Sequence, residues 1–211
     1  MSARIAAALL LGLSLTGCES MNWAGPQDFL TSREVGAPAA DAVTVCRGYN
    51  CAIRTRMTVT PQDRRALAAL FKSAKTPSQE RAAVARAVAR MERLAGARLG
   101  TAGDKGLLNP KGAGDPGQQD CVDEAATTTS YLMMLEANGY LRHHRVKAPS
   151  IRGFFLDGRW QHYTAVIAER ESGADFAVDS WPRDNGAPPV IAPLAAWKAT
   201  GEPIPPGAAA L

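Results

Sequence analysis

The apolar pattern changes period at Asn138-Gly139, and no other feature of these 211 residues constrains the fold as much. Before that point, Ala125, Thr128, Leu132 and Leu135 recur at helical spacing behind Asp120, an N-cap type, with Asp123 three residues on. A helix is predicted from Cys121 to about residue 137, stopped by the Asn-Gly pair. After that point the period is two. Ile151 to Leu156, an Asp157-Gly158 turn and Arg159 to Glu169 read as a hairpin. Ala174 to Trp181 reads as a third strand, Pro188 to Pro193 as a fourth, and Leu194 to Lys198 as a short closing helix. A helix feeding an antiparallel sheet is an α+β arrangement.

Two further helices precede this core. Thr60-Pro61 offers an N-cap followed by proline at the first helical position, then Leu67, Leu70 and Phe71 form a stripe. Thr76-Pro77-Ser78-Gln79 repeats the device, with Gln79 placed for a capping box. Val84, Val88, Met91 and Leu94 then recur opposite Arg86, Arg90 and Arg93. Both read as scaffold. The glycine-rich stretch Gly112 to Gly117 lacks the Gly-Lys-Ser/Thr of a phosphate loop and reads as punctuation.

The first residues read as an address. One positive charge in Met1 to Arg4 precedes the apolar run Ile5 to Leu15, too short to span a bilayer, which needs ~20 residues, but suited to a secretory signal. Leu15-Thr16-Gly17-Cys18 looks like a lipobox, with cleavage after Gly17 and a lipid on Cys18. Glu19, rather than an aspartate, points to the periplasmic face of the outer membrane. Residues 18–43 mix Gly, Pro, Ser and Ala without periodicity and read as a flexible linker, leaving 44–211 as one domain. The formal charge of +4 comes from basic residues interspersed with acids and lacking aromatic partners, so nucleic acid is not the expected partner.

Export changes the meaning of the cysteines. In an oxidising compartment Cys46 and Cys51, flanking the turn-like Arg47-Gly48-Tyr49-Asn50, are expected to pair. Cys121 is then left over, and an odd cysteine in an exported chain suggests a reactive thiol or an intermolecular bridge. A nucleophilic thiol needs a base, and the base an orienting group. His143 and His144 lie beyond the far end of the predicted helix, about 25 Å from Cys121, and read as loop or surface histidines. His162 sits on a strand that can pack against the helix. Asp179 leads as the orienting acid, directly opposite His162 if the hairpin tip falls between Arg170 and Glu171; Asp175 and Asp184 are substitutes. Gln118 and Gln119 are candidate oxyanion donors beside the Cys121 N–H. The His162 partnership is expected to outweigh Asp120, Asp123 and Glu124 in setting the thiol. Those three acids read as helix capping, and no metal site is expected.

Asp120-Cys121-Val122-Asp123, His162-Tyr163-Thr164-Ala165-Val166 and Ala177-Val178-Asp179-Ser180, in that order, resemble the bacterial transglutaminase-like cysteine proteinases. The match covers about Gly117 to Trp181. The resemblance implies a papain-like or transglutaminase-like core, with Cys121 as nucleophile, His162 as base and Asp179 as orienting acid. It implies hydrolysis of peptide or amide bonds, or acyl transfer to an amine, on a protein or peptide in the cell envelope. Val122 stands where that family often has an acid, which leaves a calcium requirement open. The competing reading is a non-catalytic, lipid-anchored binding or scaffolding protein that keeps the fold.

Overall fold

A computed structural model describes residues 23–112, 114–153 and 158–201. Residues 1–22, with the predicted signal and Cys18, lie outside the described residues, as do residues 154–157 at the end of the first predicted strand.

Proline-led caps start the helices where the sequence places them. Thr60 caps α2 (Pro61–Phe71) by accepting from the Asp63 N–H, and Asp63 answers through the Thr60 N–H. Thr76 likewise caps α3 (Pro77–Leu99). There, however, the Gln79 carboxamide accepts from the Lys75 N–H at 2.7 Å, so the predicted capping box does not close. No helix among the described residues is long and apolar enough to cross a membrane.

The stretch predicted as a linker is partly built into the fold. Pro26–Ser32 forms α1, which buries Phe29 and Leu30 completely, and Val35 follows them inside. Three apolar residues among Gly, Pro and Ser leave no periodic signal, yet they suffice to dock one short helix. Strand β1 (Ala42–Arg47) then pairs antiparallel with β2 (Ile53–Thr58), and the disulfide Cys46–Cys51 closes the intervening loop.

Helix α4 (Cys121–Ala137) is capped by Asp120, whose carboxylate accepts from the Val122 and Asp123 N–H groups. It sits between the β1–β2 hairpin and a four-stranded antiparallel sheet of order β3 (His144–Arg152), β4 (His162–Glu169), β5 (Asp175–Asp179) and β6 (Val190–Pro193). Helix α5 (Leu194–Ala199) closes the chain. The α+β class is therefore as read. The burial of α4 is not: Thr127, Thr128, Thr129 and Ser130 are all inside, besides the predicted apolar stripe. A helix wedged between two sheets has no wet face, and two of its hydroxyls serve instead as partners of β1. Thr127 Oγ1 accepts from the Cys46 N–H at 2.9 Å and Ser130 Oγ from the Thr44 N–H at 3.2 Å.

Strand β3 starts seven residues before the predicted Ile151, at His144, because a bulge between Lys147 and Ser150 breaks the alternation that would reveal it. His144 is consequently a fully buried strand residue, not a surface one.

Candidate active site

Cys121 opens α4 at the floor of a groove lined by Tyr49, Leu107, Leu108, Trp160 and Trp181, with Gln119 and Asp120 beside it. The chain holds this helix start from both sides. Gly48, Tyr49, Asn50 and Cys51 all adopt positive φ, so the disulfide loop forms a left-handed turn whose N–H groups converge. Tyr49 and Cys51 donate to Asp123 and Asn50 to Asp120, at 2.8, 2.6 and 2.9 Å. These two carboxylates also accept the N–H groups of residues 120, 122 and 123. A calcium ion there would face those N–H hydrogens, so the acids do not fit a cation site. Cys46, Cys51 and Asp123 lie close enough for metal ligands, but both sulfurs are tied in the disulfide.

On the sheet side, the β4–β5 register pairs Ala165 with Val178. Extended, it sets Asp179 opposite Thr164 and Trp181 opposite His162, two residues away from the predicted direct opposition of His162 and Asp179. Their side chains still share a face and meet on the diagonal. His162 Nε2 lies 2.7 Å from Asp179 Oδ2, and both residues are buried. The aspartate cannot donate when ionised, so Nε2 carries the hydrogen and Nδ1 the lone pair. Nδ1 has no hydrogen-bond partner among the described residues. Asp175 and Asp184, the substitutes, bind Lys147 and Lys105 instead.

Trp197, from α5, carries no motif that would mark it in the sequence. Its Nε1 donates to the same Asp179 Oδ2 at 2.7 Å, and its ring centre lies 5.5 Å from that of His162. Arg152 stacks on its other side, 4.4 Å from the ring centre. Trp181 packs 4.5 Å from His162, between that ring and the groove.

The sulfur of Cys121 contacts the Gln161 carbonyl at 3.9 Å, the residue just before His162. Thiol and imidazole thus meet the same turn of backbone, without a hydrogen bond between them. Burial, followed by the Asp120 charge, pushes the Cys121 thiol up to about 12. The expectation that His162 would dominate is reversed: desolvation wins, and the resting side chain is a neutral thiol. The two glutamines also part ways. Gln118 is consumed by its own loop, donating to Gly103 O and accepting from Asn109 Nδ2 and the Lys105 N–H. Gln119 remains at the groove, with one amide hydrogen engaged by Cys46 O at 2.8 Å and its Oε1 unpartnered.

Comparison with known proteins gives no relative: no family model, curated protein or solved structure matches this chain.

Proposed function

We propose that this chain is a lipid-anchored envelope protein with a Cys-His-Asp thiol site that cleaves peptide or amide bonds, or transfers the acyl group to an amine. One observation carries the reading: a buried imidazole, fixed by Asp179 on one nitrogen and unpaired on the other, adjoins the backbone contacted by the free thiol at a groove floor. A purely structural histidine has no reason to keep a buried lone pair without a donor.

The chemistry balances with these groups. The Sγ–H swings from the weak Gln161 contact toward Nδ1, and its proton moves there as sulfur adds to the substrate carbonyl carbon. The carbonyl electron pair moves onto oxygen, where the Cys121 N–H, left free at the helix start, and the Gln119 amide can receive it. Collapse expels the amine, which takes the proton back from His162 and leaves a thioester. Water or an amine then attacks the thioester, again with His162 as base, and the thiol is restored. Asp179 keeps the ring in its Nε2–H form throughout. A papain-like or transglutaminase-like core fits the order of helix and strands. The closed Cys46–Cys51 disulfide accords with export, and residues 15–18 with acylation.

The raised thiol favours a second reading, a lipid-anchored binding module whose site is inert. A peptidyl chloromethyl ketone separates the two. The hydrolase reading predicts an adduct mapped to Cys121 that forms at least ~100-fold more slowly in His162→Ala. Equal labelling of both proteins, or none, supports the inert module.

A further inference from the structure

We infer that the groove accepts a bulky apolar side chain next to the carbonyl under attack and that Leu107 and Leu108 set this preference; the inference rests on the thiol chemistry proposed for Cys121. Among the described residues these two are the exposed large hydrophobics, at 48% and 38%, and both line the groove. Exposed leucines are ordinary in themselves. The way these are held is not.

Leu107 sits at φ 68°, a left-handed conformation that is costly for a side chain of this size. The loop is pinned in that shape from three directions. The Leu107 N–H donates to Trp181 O at 2.8 Å, and the Gly106 N–H to Asp184 Oδ1 at 3.1 Å. Gly106 lies so close to the following segment that a Cβ there would stand 2.7 Å from the Arg183 backbone. Beyond the leucines, Asn109 O accepts from the Tyr49 hydroxyl at 2.7 Å, which ties the rim to the disulfide loop. Strain maintained by this many contacts marks a built wall.

The remaining surfaces agree on the occupant. Tyr49, Trp160 and Trp181 face the leucines with aromatic surface. Trp181 is only 5% exposed, so its ring is held as a fixed part of the groove wall. Asp120 contributes negative charge at the floor and disfavours an acidic side chain. Together these features describe a single large apolar residue held by its side chain.

A series of N-acyl amino-acid chloromethyl ketones differing only in side chain tests this on the full chain, with the rate of Cys121 labelling as the readout. Phe and Leu reagents are expected to label at least ~10-fold faster than the Ala reagent, with the Asp reagent slowest. Combining Leu107→Ala with Leu108→Ala should bring the Phe and Ala rates close together. Equal Phe and Ala rates on the unaltered chain, or a preference that survives the double substitution, overturn the inference. If labelling is unselective but still depends on His162, only the groove assignment falls. If no reagent labels Cys121 through His162, the thiol reading falls with it.

Discussion

This fold contains two buried histidine–carboxylate pairs, and they differ in what they leave unused. His144 Nδ1 lies 2.9 Å from Glu80 Oε1, and His162 Nε2 lies 2.7 Å from Asp179 Oδ2. Around the first pair every polar atom is taken. Glu80 also accepts the N–H groups of Arg142, His143 and His144, and His144 Nε2 faces Arg81 Nη1 at 3.2 Å. Arginine can only donate, so a hydrogen bond there uses the Nε2 lone pair and leaves the His144 hydrogen on Nδ1. Burial raises Glu80, but the His144 bond and the backbone donors outweigh it and hold the carboxyl below its ordinary value. That pair fastens the start of α3 to the start of β3. Around the second pair, His162 Nδ1 and Asp179 Oδ1 have no hydrogen-bond partner among the described residues, and the residue before His162, Gln161, offers its carbonyl to the Cys121 thiol. A carboxylate beside an imidazole is thus no sign of chemistry. The role proposed for His162 rests instead on its unpaired Nδ1.

The largest expected effect separates the two pairs by their consequences. Asp179→Ala should slow chloromethyl ketone labelling of Cys121 by ~100-fold or more, because the ring loses both its tautomer and its orientation. A small change would make the second pair as structural as the first. Glu80→Ala should do the opposite. Labelling per folded molecule stays near the unaltered rate, while urea unfolding reports a loss of roughly 3–5 kcal/mol from the stranded donors.

A third buried carboxyl sharpens the contrast. Glu92 accepts from Asn185 Nδ2 at 3.1 Å, whereas Glu80 accepts from three backbone N–H groups and from His144 Nδ1. Burial, with the Asp104 charge adding, pushes Glu92 up to about 8. The folded state therefore holds a proton that the unfolded chain releases near 4.5. Its stabilising effect is complete below that value and is lost as pH rises through about 8. Urea midpoints should fall across this window, and Glu92→Gln should flatten the slope. The smallest effect belongs to Trp197→Phe. Removing one hydrogen bond to the Asp179 carboxylate, with the aromatic packing kept, should slow labelling by ~10-fold. An unchanged rate would show that His162 alone orients the aspartate.

Much of this was legible in the sequence, and the exceptions share a cause. Local signals carried well: the Thr60 and Thr76 caps, the Asp120 cap and the five-residue cysteine spacing. What failed depended on distant partners. Helix α1 is too short to show a period and forms by docking Phe29 and Leu30. His144 was misplaced because a bulge hides the alternation of β3, and the Glu80 that buries it lies on another element. The diagonal meeting of His162 and Asp179 follows from the β4–β5 turn, one residue later than the direct pairing required. Trp197 reaches Asp179 only after β6 has carried the chain across the sheet. The thiol's direction was misjudged for the same reason, since burial from all sides is invisible in a motif.

Nitrogen-15 NMR of histidine-labelled protein, recorded at alkaline pH before and after alkylation of Cys121, tests the central claim most directly. The account predicts a hydrogen on Nδ1 of His144 and on Nε2 of His162, with only the His162 Nδ1 signal moving when the sulfur is blocked. A His162 ring protonated on Nδ1, or one indifferent to Cys121 alkylation, would contradict it.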